Sequence, residues 1–129
     1  MREATLYPVV KDWIRNNVKH TCVIELKIAK SKSLPYSEVK EHQEANLFAA
    51  KNRVLMYKIP DVGFDQKPFD ICVWSGCKAY VGIVFYEPRK LKTLYMINID
   101  SWKRYRAKAD KKSITIEECS SLAEYEVEL

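Results

Sequence analysis

The 129-residue chain has no apolar run approaching the roughly 18–20 residues that span a bilayer. It also lacks the hydrophobic stretch of a secretory signal near its N-terminus. Both absences predict a cytoplasmic protein, nucleoid-associated or viral in an infected cell, with no membrane partner. No two of its four cysteines (Cys22, Cys72, Cys77, Cys119) have CxxC spacing, and His20 and His42 are not placed to complete a zinc set. The cysteines therefore read as buried free thiols. No repeat, low-complexity tract or linker divides the chain, so residues 1–129 are expected to form a single domain.

The last 13 residues contain no lysine or arginine and carry five glutamates. All 22 basic residues precede them, against 12 acids, which leaves the body at +10 within a chain of net charge +5. A basic body favours a polyanionic partner through steering and counterion release. It also suits an ordinary solvated surface. Residues 116–129 are expected to form an acidic C-terminal helix and tail, one able to compete with a polyanion for the basic surface.

What is present is a clear succession of periodic segments. Leu6, Val9, Val10, Trp13 and Ile14 follow helical spacing over residues 3–16, and Pro8 places the start near Thr5. Residues 22–29 alternate as a strand, with Cys22, Ile24, Leu26 and Ile28 on one face and Val23, Glu25, Lys27 and Ala29 on the other. A basic loop, Lys30 to Tyr36, leads to Ser37 as the N-cap of a helix that runs to about Asn52. Strands are expected at 54–59, 70–74, 79–86 and 93–99, the third apolar on both faces and therefore central. A short helix at 101–109 begins at Asp100 or Ser101, and Thr115 with Glu118 matches a capping box for a last helix. The unit 22–29, helix, 54–59 is expected to be a right-handed parallel crossover. The apolar excess of 79–86 and 93–99 suits either a monomer core or a dimer interface. The whole reads as an α/β or α+β sandwich.

Three features carry chemistry. Glu25 and Lys27, two apart on one strand, point the same way about 6–7 Å apart. A carboxylate can ligate Mg²⁺, and a neighbouring ammonium can orient a water or offset phosphate charge. Asp70, in Lys67-Pro-Phe-Asp70, would meet Glu25 at one site only if a cation bridged the two charges. Gln43 turns an amide toward the buried side of its helix. Each also has a plainer reading: an exposed cross-strand ion pair, a turn aspartate, and an amide satisfied by backbone.

Together, Glu25-Leu-Lys27, the Lys/Ser-rich loop, Ser33-Leu-Pro-Tyr-Ser37 and His42-Gln43 resemble the core of the PD-(D/E)xK nuclease superfamily. Within it the likeness is to the RecU-like and archaeal Hjc-like Holliday junction resolvases. Pro68-Phe69-Asp70 resembles their further metal-ligand motif, and Glu3, ahead of Leu6-Tyr7-Pro8, resembles the glutamate on their first helix. The resemblance covers about residues 3–86. It implies a restriction-endonuclease-like fold, a mixed central sheet of about five strands flanked by helices. It implies a homodimeric, Mg²⁺-dependent endonuclease (Mn²⁺ substituting) acting on branched or duplex DNA. Glu25, Asp70 and the Leu26 carbonyl would hold the metal. Lys27 would orient the attacking water, Gln43 would position Lys27 or a metal-bound water, and Glu3 would bind water farther out.

In the family the aspartate strand precedes the Glu-x-Lys strand, whereas Asp70 follows Glu25 by 45 residues. Either the motif order is permuted, or Asp61 in Ile59-Pro60-Asp61 is the ligand. Lys30, Lys32, Lys103, Arg104, Arg106 and Lys108 are the expected DNA contacts, with Lys111 and Lys112 extending the run around Tyr105. Neutralising about six phosphates would give a log-log salt slope of roughly −5. With no base-reading helix evident, recognition of DNA shape is expected. A repair or restriction-type endonuclease, or a non-catalytic nucleic-acid-binding module, would fit the same residues.

Overall fold

The computed structural model describes residues 2–60, 67–90 and 92–129. In chain order the elements are α1 (Glu3–Asn17), β1 (Cys22–Ala29), β2 (Ser33–Pro35), a 3-10 turn (Tyr36–Glu38), α2 (Glu41–Asn52), β3 (Val54–Lys58), β4 (Ile71–Ser75), β5 (Lys78–Phe85), β6 (Thr93–Asn98), α3 (Ile99–Lys108), β7 (Ser113–Thr115), α4 (Ile116–Leu122) and β8 (Tyr125–Glu128). The mixed α+β class expected from the sequence is what forms. The sheet differs in detail: β1, β5, β6 and β8 make a four-stranded sheet in that order, while β2–β7 and β3–β4 are separate two-stranded pairs.

Strand β5 organises the core. Its odd residues Ala79, Val81, Ile83 and Phe85 join a cluster with Val39, Leu47, Ile97 and Trp102. Its even residues Tyr80 and Val84 join a second cluster with Leu6, Val10, Leu94, Met96 and Val127. A strand covered on both faces must be apolar on both, which is why this run shows no alternation. It serves the monomer core, not a surface available to a second copy. Gly82 lies opposite Leu26, and a Cβ there would come within 3.0 Å of Leu26 Cδ2 and 3.1 Å of Ile24 Cγ2. The missing side chain is what lets β1 lie flat against β5.

The anticipated parallel crossover ending at 54–59 does not form. The parallel partner of β1 is β5, and β3 instead pairs antiparallel with β4. Only β5 carries side chains suited to burial on both sides; β3 includes Tyr57 and Lys58 and stays largely exposed. The β3–β4 hairpin packs on α2 and leaves Val54, Met56, Ile71 and Val73 exposed on its outer face.

Three helix starts differ from expectation. Helix α1 begins at Glu3, so Pro8 lies in its second turn and leaves the Ala4 carbonyl without its usual partner. The second helix is interrupted: Tyr36–Glu38 is a 3-10 turn, Val39 is buried in the break, and α2 starts after Lys40 instead of Ser37. Helix α3 starts at Ile99, ahead of the expected Asp100 or Ser101, because Asn98 caps it, its side chain accepting from the Asp100 N–H at 3.0 Å. The Thr115–Glu118 capping box forms at α4.

The acidic C-terminal segment is not a tail. Strand β8 pairs with β6 as the sheet's other edge, Val127 is in the core, and Glu124 accepts a hydrogen bond from the Tyr80 hydroxyl. Its glutamates alternate outward from an edge strand, so the segment is structural and not a mobile competitor for the basic surface. The four cysteines are free thiols, though only Cys77 and Cys119 are fully buried. Burial pushes the Cys119 thiol up to about 12, which leaves it unreactive at neutral pH.

Candidate active site

Strand alternation puts Glu25 and Lys27 on the face of β1 that turns toward α2, because Val23 and Ala29 on that face join the cluster beneath that helix. Lys27 Nζ lies 3.4 Å from Glu25 Oε1, and the lysine side chain is only 12% exposed. Gln43 is the third residue of α2. Its Oε1 accepts from the Lys40 main-chain N–H at 2.9 Å, which satisfies one of the free donors at the helix start. Its Nε2 donates to Glu25 Oε1 at 2.8 Å. The amide therefore has one end tied to its own helix and the other to the carboxylate. A late helix start, after Lys40, is what brings residue 43 to this position.

β1 is the outer strand of its sheet. The carbonyls of Thr21 and Ala29 both accept from the β5 side, from Lys78 N–H and Tyr86 N–H. In a parallel pair each residue's N–H and C=O share one side, so the odd-numbered residues of β1 turn to β5. Leu26 then turns its carbonyl to the open edge. Glu25 borders two cavities there. One, of about 350 Å³, lies between β1, α2 and the β3–β4 hairpin. The other, of about 260 Å³, lies between β1 and α1 and includes Tyr7 and Leu26.

The remaining expected residues are placed differently. Asp70 sits just before β4 at the outer end of the hairpin, where its carbonyl accepts from the Ile59 N–H at 2.7 Å. Its carboxylate is 83% exposed and pairs with Lys67 Nζ at 3.1 Å. It borders neither cavity. It does share a hairpin face with Cys72 and Trp74, the face that lines the larger cavity, one alternation step farther out. Glu3 begins α1, half-buried and one turn ahead of Tyr7. Asp61 lies outside the described residues.

The structure thus brings together Glu25, Lys27 and Gln43, places Asp70 apart from them, and leaves Glu3 outside the lining of either cavity. Among the described residues no group of three or more His, Cys, Asp or Glu gathers. The donors on offer are hard oxygens: the Glu25 carboxylate and, next along the strand, the edge-facing Leu26 carbonyl. That set fits Mg²⁺, which keeps several waters and takes only one or two carboxylates together with substrate phosphate.

The basic residues divide into free and committed ones. Lys30, Lys32, Arg104 and Lys108 are exposed. Lys103 is exposed and lies over the Phe48 ring, with its Nζ 4.2 Å from the centroid. Arg106 is not a free surface cation. It pairs with Glu44, donates to the Val39 carbonyl at 3.3 Å and stacks on Tyr36. Glu44 also accepts from Trp102 Nε1 at 2.7 Å, so Arg106 ties α3 to α2. Its position on the inner side of α3, four residues after Trp102, is the signal that could have separated it from its neighbours. Sequence reasoning also passed over Tyr57 and Trp74 as strand residues; both line the larger cavity.

Comparison with known proteins returned no match, whether to a family model, a curated protein or a solved structure.

Proposed function

We propose that the protein is a Mg²⁺-dependent, structure-selective DNA endonuclease that resolves four-way junctions by phosphodiester hydrolysis. The observation that carries this reading is the Glu25–Lys27–Gln43 cluster on β1, an outer strand whose Leu26 carbonyl turns to the open edge. Glu25 and that carbonyl would hold the metal. A Mg²⁺ ion so held supplies a polarised phosphate and a water of lowered pKa.

The chain's own residues do the rest. Lys27, held against Glu25 by its ion pair, places a positive charge where the phosphate becomes more negative. Gln43 fixes the carboxylate's orientation, since its amide is itself fixed to the helix start. Lys30 and Lys32 leave the same strand and offer phosphate contacts next to the site. Asp70 would join only if the hairpin end moved toward Glu25. Two cuts at symmetric positions call for a C2 dimer. The exposed outer face of the hairpin is the apolar surface that would serve it.

The test is cleavage of a synthetic four-way junction against linear duplex, with Mg²⁺ or with EDTA. Mg²⁺-dependent cleavage is expected, preferring the junction. Glu25→Gln and Lys27→Ala should each lose at least about 100-fold in rate while DNA binding is retained. Robust cleavage by Asp70→Asn would remove that residue from the site. Cleavage of linear duplex alone would favour a repair or restriction-type enzyme. No cleavage of any DNA by the wild type would reduce the protein to a binding module.

A further inference from the structure

We infer that the cavity between β1, α2 and the β3–β4 hairpin is a nucleobase pocket, which receives one unpaired base of the DNA strand held at Glu25. The inference takes from the nuclease reading only that DNA is the polymer at Glu25.

The cavity's volume of about 350 Å³ is in the range of small-ligand sites. One wall is aromatic: Tyr57 and Trp74 meet edge-to-face with ring centroids 5.7 Å apart, and Tyr57 is half exposed. The opposite wall is polar, with Glu25, His42, Gln43 and Asn46. Gln43 already uses both ends of its amide. The Asn46 side chain, one helical turn from His42, makes no hydrogen bond to another described residue, nor does the His42 ring.

An aromatic ring face and a side-chain amide in one cavity match a heteroaromatic ring that stacks on one side and hydrogen-bonds at its edge. A nucleobase has both features, and asparagine pairs with base edges through its two-ended amide. A purely aliphatic ligand would leave the Asn46 amide unpaired, and a peptide backbone, which could pair with it, has no ring to stack on the aromatic wall. The base cannot reach this wall from inside a paired, stacked duplex. The pocket therefore selects DNA in which pairing is interrupted, as at a branch point or in a single strand. Selectivity for structure over sequence then follows from a cavity beside Glu25 that takes an unpaired base.

The fluorescence of Trp74 reports on the pocket, because Trp102 is buried and bonded to Glu44 and Trp13 packs on Tyr125. In EDTA, the full-length protein is titrated with three labelled DNAs: a single-stranded oligonucleotide, the same backbone carrying abasic sites through its centre, and a blunt duplex. The base-bearing strand should quench tryptophan emission and bind about tenfold more tightly than the abasic one, as expected for one stacked base. Trp74→Leu and Tyr57→Ser should each remove that tenfold difference and leave duplex affinity unchanged.

Tyr57 is half exposed, so its variant reads the pocket even if Trp74→Leu fails to fold. Equal affinity with and without bases, or a base preference intact in Tyr57→Ser, overturns the inference. Quenching that grows with protein concentration in the absence of DNA also overturns it, and gives the cavity to a second copy. Mg²⁺-dependent cleavage is measured separately. Cleavage without base preference sinks the pocket alone, and base preference without cleavage sinks the nuclease reading alone.

Discussion

The four-stranded sheet and the β3–β4 hairpin are both rich in aliphatic residues, yet their burial is opposite. Ala79 to Val84 on β5, Gly82 aside, are fully buried, while Val54, Met56, Ile71 and Val73 on the hairpin are about 59–68% exposed. The sheet uses its apolar residues to hold β1 at a fixed distance from α2, and so holds Glu25 against Gln43. The hairpin leaves one apolar face to solvent and turns aromatic rings on the other toward Glu25. One region is a scaffold whose residues are chosen by the fold. The other is exposed beyond what the fold requires, as expected of a surface that meets something else.

The sharpest way to break this contrast is to damage the sheet at its far edge. Deleting residues 125–129 removes Val127 from the core, the Tyr125 contacts with Trp13 and Tyr80, and the ladder to β6. The expected cost is about 3–5 kcal/mol, a large share of a small domain's stability, read by urea unfolding. A deletion that leaves the unfolding midpoint unchanged would return this segment to the status of a tail. Next in size is Gly82→Ala, which pushes a methyl into Leu26, Ile24 and Leu94. It should cost about 1–3 kcal/mol by overpacking and also slow cleavage, because Leu26 lies between the two site residues.

The sequence disclosed those parts of the molecule whose physics is local. Strand β1, the two-faced burial of β5 and the Thr115–Glu118 cap follow from period and residue type alone. So does the pairing of Glu25 with Lys27, since two positions on one strand face cannot be separated by the rest of the fold. Gln43 was legible as an inward amide, and its partner emerged only with the packing of α2 on β1. The pairing of β3 with β4 instead of β1 was not legible, because alternation gives a strand's faces and not its neighbours. β8 was hidden by composition: four residues with two glutamates, in a stretch without a base, look like a tail until β6 offers an open edge. The separation of Asp70 from Glu25 likewise depends on where a hairpin end comes to rest.

A smaller effect lies at the junction of α2 and α3. The Lys51 ammonium, bonded to Asp100 at 2.5 Å, holds the Asp100 carboxyl below the usual carboxylate range, with help from Asn52. A carboxyl whose pKa is lowered by folding stabilises the native state above its unfolded value, and loses that contribution as pH falls through the folded one. Asp100→Asn should therefore melt below the wild type at neutral pH, and the two melting temperatures should converge below about pH 4. A difference that persists unchanged in acid would assign the effect to packing. Because the cluster joins two helices of the scaffold, junction cleavage at neutral pH should change little.

The smallest effect on the monomer is expected where the apolar residues are most exposed. Met56 and Val73 face each other across the hairpin on its outer side. Replacing Met56 with lysine and Val73 with glutamate buries no charge, removes no core contact and sets opposite charges across the pair, so monomer stability should move by no more than about 0.5 kcal/mol. If this face joins two copies, the double variant should sediment as a monomer at concentrations where the wild type is a dimer. It should also nick one junction strand without the paired second cut. A wild type that is monomeric at every concentration, or a double variant that still dimerises, would leave the outer face without that role. The inner face could then be judged by its base preference alone. The two faces of one hairpin are in this way separable: charge on the outer side alters assembly, and loss of a ring on the inner side alters which DNA is held.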